Sequence, residues 1–226
     1  MTDQTRTSTP VDAIADAWVD TLAELSPSLA TYIGRDEYND RIDDFSPAGQ
    51  ERFAAESRAA LSALRDTQPV DAIDEVTKED LTREIELGLE LHDADWHLRD
   101  LNVIESPPQN IRQIFDLMPT STTDDWSVVA RRLKNVAGAV DGYIETLREG
   151  VSRGIVPARR QVVEVVGQIA RYTSADGFFA EFAANASPDE GSLPGSLARD
   201  LNDNANAARV AYERLSAFSA REVAPA

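Results

Sequence analysis

The chain has 226 residues, 40 of them Asp or Glu against 22 Lys or Arg, for a formal net charge of −18. That excess repels phosphate backbones and anionic headgroups and argues against nucleic-acid and membrane partners. Cysteine is absent, which excludes disulfides, thiolate metal sites and cysteine nucleophiles; no segment approaches ~18 unbroken apolar residues, so a cytoplasmic location is the default expectation.

Thr9-Pro10-Val11-Asp12 offers a capping hydroxyl, a proline at the first helical position and an acid in the first turn. Ile14, Trp18, Leu22 and Leu25 then recur at helical spacing. Ser26-Pro27 restarts the chain into a short helix that Gly34 suits as a left-handed cap, and Ser46-Pro47 opens a third helix ending before Pro69. Thr77-Lys78-Glu79-Asp80 reads as the start of one long helix through Leu81, Ile85, Leu89, His92 and Trp96 to about Val103. Eleven acids lie between Asp71 and Asp100 against Lys78, Arg83 and Arg99, so the outer face of this helix is strongly negative.

Pro107-Pro108 and Pro119 bracket a segment with room for about three helical turns. Thr122 or Thr123 then starts a helix carrying Trp126, Val129, Leu133, Val136, Val140, Ile144 and Leu147, ended by Gly150 or Gly154. Val162, Val165, Val166 and Ile169 have β-propensity, but the opening at Pro157 and the helical surroundings favour a helix. A compact aromatic run, Phe178, Phe179 and Phe182, precedes a loop from Pro188 to Pro194. The last helix starts at Ser196 and still presents Leu215 and Phe218 near the end of the sequence, which reads as a surface lacking its neighbour and as a sign of a fragment. The expected fold is all-α, an irregular bundle of about seven to nine helices without significant sheet. Residues 1–226 form one helical region, or two subdomains over 10–104 and 105–222.

Little of this carries chemistry. His92 and His97 are the only histidines, and on one helix a spacing of five separates them by roughly 140°, so they do not readily share a metal. Asp93 and His97 are placed for an i,i+4 pair, of the kind usually found at surfaces. The neighbouring acids Asp43-Asp44 and Asp124-Asp125, and Glu84 with Glu90, read as solvated carboxylates, with Asp124 and Asp125 suited to a helix start. Asp200-Leu201-Asn202-Asp203-Asn204 lacks the glycine and glutamate of a calcium loop, and no serine elbow, P-loop or dinucleotide motif occurs. The locally basic stretch from Arg131 to Arg171 could recognise a carboxylate such as a peptide C-terminus, but its charge better suits docking against the acidic helix. Trp18, Trp96, Trp126 and the phenylalanine cluster read as core.

The segment Ser28 to Gly34, Asp43-Asp44-Phe45-Ser46-Pro47, the Asn110 to Pro119 run and Trp126 with Arg131-Arg132-Leu133 together resemble the N-terminal half of the DUF885 family. The similarity extends through Gly150, Gly154-Ile155 and Gln161-Val162-Val163. It implies a helical part of a gluzincin-like zinc metallopeptidase, dipeptidase or carboxypeptidase-like, with a groove between helical halves. The family's His-Glu metal motif belongs to the C-terminal half, so no catalytic, cofactor-binding or metal residue is assigned here, and zinc is implied for the full-length family only. The partners that follow are the C-terminal half of the same polypeptide and a peptide substrate. The alternative is a non-enzymatic, acidic helical protein-interaction module.

Overall fold

Hydroxyl–proline signals set the first helix starts. In the computed structural model, which describes residues 6–226, the Thr9 hydroxyl accepts from the backbone of Asp12 and the Asp12 carboxylate from that of Thr9, closing a capping box on α1 (Pro10–Leu25). The Ser26 and Ser46 hydroxyls cap α2 (Pro27–Tyr32) and α3 (Pro47–Asp66) by accepting from the N–H groups of Leu29 and Gly49, each serine followed by a proline whose fixed φ already suits a helix. Gly34 follows α2 at φ +77°.

α4 (Ala72–Asp93) departs from expectation at both ends. It begins before Thr77, because the Asp71 carboxylate accepts from the N–H groups of Ile73 and Asp74 and caps it there. It stops at Asp93: Asp95 takes a left-handed φ of +56°, and Trp96–Arg99 forms a separate 3₁₀ turn. The single long helix is therefore two pieces, with His92 on one and His97 on the other.

α5 (Pro107–Gln113) runs into a 3₁₀ turn over Ile114–Leu117 before the chain bends at Met118. The double proline is held by buried polar contacts: the Pro108 carbonyl accepts from Tyr212 Oη at 2.7 Å, and Gln109 donates to Gln168 at 2.6 Å. A second capping box, Thr122 with Asp125, starts α6 (Thr123–Arg153), and Gly154 at φ +67° ends it. α6 has 31 residues and is about 46 Å long. α7 (Arg159–Thr173), α8 (Phe178–Ala184) and α9 (Gly195–Phe218) follow, the last continuing as a π-helical turn over Ser219–Val223. Among the described residues there are nine α-helices and no strand, an all-α bundle in which the β-branched run of α7 is helical.

Two apolar clusters form. The larger joins α5 to α9 around α6, whose closest partner is α9, and buries Phe115, Trp126, Tyr143, Phe179 and Tyr212. The smaller lies among α1, α3 and α4, where Trp18, Leu61, Leu64, Ile85 and Leu89 meet. Directed polar contacts link the N-terminal layer to α6. Arg132 is fully buried and donates to the carbonyls of Arg41 at 2.7 Å and Pro27 at 3.0 Å and to the Thr31 hydroxyl at 2.9 Å. Burial pushes its guanidinium down to about 10, with Asp43 and Asp40 pulling the other way, so it stays charged at neutral pH. Thr146 donates to the Phe45 carbonyl at 2.7 Å and Asn135 to that of Asp40 at 2.8 Å.

Three further expectations change. Leu215 and Phe218 are buried in the large cluster, so the end of α9 is not an open apolar face. Trp96 is 48 % exposed and stacks under the Arg99 guanidinium, so it is not core like Trp18 and Trp126. The basic stretch does not clamp the acidic helix, which packs on α1 and α3: Arg131 pairs with Asp40, Arg148 lies over the Phe218 ring, and Arg153 alone reaches across, to Asp95.

Candidate functional site

A pocket of about 260 Å³ opens where α3, α4, the 3₁₀ turn, α5 and α6 converge. Its walls include Phe45, Phe53, His92, His97, Asp100 and Asn110. The break after Asp93 builds it. Reversing the chain through Asp95 folds His97 back on His92, and the two imidazoles stack with centroids 4.9 Å apart and planes 12° from parallel. The expectation that the rings diverge by their helical spacing fails because no helix joins them.

Several contacts hold the turn in place. Leu98 is fully buried and its carbonyl lies against Gly150 of α6, where a Cβ would come within 2.5 Å of that oxygen. Asp95 is anchored by Arg153, which also reaches Glu149. Tyr143 of α6 donates to the Asp100 carbonyl at 2.6 Å, and burial raises its own phenol well above the usual tyrosine range.

Electrostatics at the pocket follow from these placements. His92 Nε2 lies 3.3 Å from a Glu51 oxygen. Burial, followed by the neighbouring His92, lowers the pKa of His97, and its Nδ1 is buried without a hydrogen-bond partner. Burial raises the Asp100 carboxyl, opposed by the nearby Asn102 side chain, and Asp100 has no ion-pair partner among the described residues. Arg58 binds Glu51 and Asp93, so Asp93 serves Arg58 rather than His97, Arg153 binds Asp95 and Glu149, and Arg99 lies over the Trp96 ring.

The residues do not fit a zinc site. Parallel stacked imidazoles direct their in-plane lone pairs alongside one another rather than toward a common point. Among the described residues no group of three or more His, Asp or Glu side chains is placed to hold a metal ion. The other motifs resolve into structure. Asp43 accepts from Ser26 Oγ and the Ser28 N–H at the start of α2, the Asp125 carboxylate accepts from the Thr122 N–H at the start of α6, and Asp200 to Asn204 lie within α9, where Asn204 donates to the Ala130 carbonyl.

What the sequence did not reveal is the convergence of His92, His97, Asp100 and Asn110. The available signal was slight: an Asp at position 95, a residue type that tolerates left-handed φ, inside an otherwise helix-favouring stretch.

Fold and site thus define an all-α protein, without strand among its described residues, that carries a polar, aromatic-walled pocket beside its central helix. Residues 27–226 match the family described as bacterial protein of unknown function, DUF885, and the chain belongs to it. No curated protein matches the chain. No helix of the described residues is long and apolar enough to cross a membrane.

Proposed function

We propose that this chain forms one wall of the substrate groove of a metal-dependent peptidase, dipeptidase or carboxypeptidase-like, and does not catalyse alone. The observation that carries the reading is the pocket at His92 and His97: aromatic sides, the Asn110 amide in the wall and a buried imidazole nitrogen unpaired among the described residues suit a short peptide better than a smooth core does. The resemblance to gluzincin-like proteins supports it from the sequence side. On this reading the zinc ligands and the general base lie on a C-terminal half of the same polypeptide.

The test is zinc calorimetry and a dipeptide panel on the chain itself and on the polypeptide that continues into a His-Glu motif. The chain alone is expected neither to bind zinc at micromolar concentration nor to hydrolyse a peptide, and the longer polypeptide to do both. Micromolar zinc affinity or hydrolysis by the chain alone refutes the division of labour. A second reading, an acidic module that docks a partner protein, is favoured by the exposed Ile73, Val76, Leu87 and Leu91 on α4. An inactive longer polypeptide would favour that second reading.

A further inference from the structure

We infer that the pocket between α3, α4 and α6 is a binding site for an organic ammonium group attached to a flat apolar body. This rests on the same pocket as the peptidase reading and names the ligand chemistry it would take; it needs no metal, so zinc binding and amine binding can fail separately.

Charge selects the class of ligand. Among the described residues no lysine or arginine lines the pocket, and Asp100 is the one acid that does. An anion would meet no cation there, and in a chain of net charge −18 it would also be repelled at a distance. Arg58 and Arg153 are each held by two carboxylates and Arg99 lies over the Trp96 ring, and among the described residues Asp100, whose carboxyl burial raises, has no ion-pair partner. A carboxylate in that condition gains when a cation arrives, because the cation restores the interaction lost with water.

The remaining walls agree with a cation. His97 is biased toward its neutral form, in which one ring nitrogen accepts a hydrogen bond, and its buried Nδ1 has no partner. The side-chain amides of Gln50 and Asn110 each add a carbonyl acceptor. Ser57 and Thr146 also line the pocket, but their hydroxyls are spent on the backbone carbonyls of Phe53 and Phe45. Phe45 and Phe53 supply aromatic faces, which attract ammonium groups and pack a planar body, while the Trp96 ring, already under the Arg99 guanidinium, closes one side. Their edges are already ordered: Phe53 makes an edge contact with Trp18, and Phe45 with Tyr143. At about 260 Å³ the space accommodates a single ring with a short amine arm.

The test is isothermal calorimetry with benzylamine against benzyl alcohol, its neutral analogue of the same shape, and against N-acetylbenzylamine. Benzylamine is expected to bind about tenfold or more tightly than either. Asp100→Asn is expected to erase that preference while leaving the thermal midpoint close to that of the parent. Gly88→Leu provides an independent variant: a Cβ at Gly88 meets nothing within 4 Å, and the larger side chain fills the pocket from α4, so all binding is expected to vanish. Phenylalanyl-glycine and its N-acetylated form separate the sources. Tighter binding of the free dipeptide than of benzylamine assigns the site to a peptide amino terminus, and weaker binding assigns it to a free amine. Equal affinity for amine and alcohol, retention of the preference in Asp100→Asn, or no binding of either amine overturns the inference.

Discussion

Replacing Arg132 by Met keeps much of the side-chain volume and removes the guanidinium. Three oxygens then lose this donor: the part-buried Arg41 carbonyl and Thr31 hydroxyl, and the buried Pro27 carbonyl, which keeps a bond from the Thr31 hydroxyl. Hydrogen bonds from a charged donor contribute about 1.5–3 kcal/mol each, and the recovered desolvation of the cation offsets part of the sum. The net loss should be about 3–5 kcal/mol, which for a domain of this size lowers the thermal midpoint by roughly 10 °C. Arg132→Lys retains the charge but can satisfy fewer of the three oxygens, so it should fall between the two, at about 2 kcal/mol. Urea titration with hydrogen exchange read peptide by peptide is the assay, and the excess exchange should concentrate in residues 27–45 rather than in α9. If Arg132→Met unfolds within about 1 kcal/mol of the parent, or if Lys matches Arg, the three bonds do not hold the N-terminal layer.

Thr122→Ala removes the hydroxyl that caps α6 and should cost about 1 kcal/mol, read as a thermal shift of a few degrees; an unchanged midpoint would discount the capping box. Gly150→Ala places a Cβ 2.5 Å from the Leu98 carbonyl and 2.6 Å from that of Ile155, and should cost about 1–3 kcal/mol. Gly138→Ala on the same helix meets nothing within 4 Å and should stabilise by about 0.5–1 kcal/mol; denaturant midpoints that fail to separate the pair would discredit the close approach. His97 has a folded-state pKa below its ordinary 6.5, so between those two values the unfolded chain binds the proton and the folded chain does not. Its contribution is therefore present above about 6.5 and is lost as pH falls through the folded value; His97→Gln should flatten that part of the stability profile, and an unaltered slope between neutral and mildly acidic pH would count against the burial of this ring.

Where the chemistry is local, sequence and structure agree. Thr9, Ser26, Ser46 and Thr122 each cap a helix because the donors they satisfy lie within three residues, and Gly154 ends α6 because a left-handed residue is needed there. The break at Asp95 was not readable in this way. His92 to Arg99 favours a helix by composition, and what overrides it is distant in sequence: the cavity left by Gly150 for the Leu98 carbonyl and the Arg153 anchor on Asp95. The pocket inherits that obscurity, since its histidines meet only because the chain turns. The early start of α4 failed for a different reason. Thr77-Lys78-Glu79-Asp80 carries a plausible cap, but Asp71 offers one sooner, and a helix already begun passes through the second signal unchanged.

The Arg132 seat has a consequence for how the layers are aligned. Grease holds without regard to direction, so two oily faces tolerate sliding. A guanidinium aimed at three separate oxygens behaves as a key in a lock: turning α6 by a single residue would swing it about 100° and break all three bonds. The N-terminal helices are thus indexed to the central rod angularly. A wrong registry costs stability at once, and the pocket walls, which come from both sides of that joint, are set to within one residue of rotation.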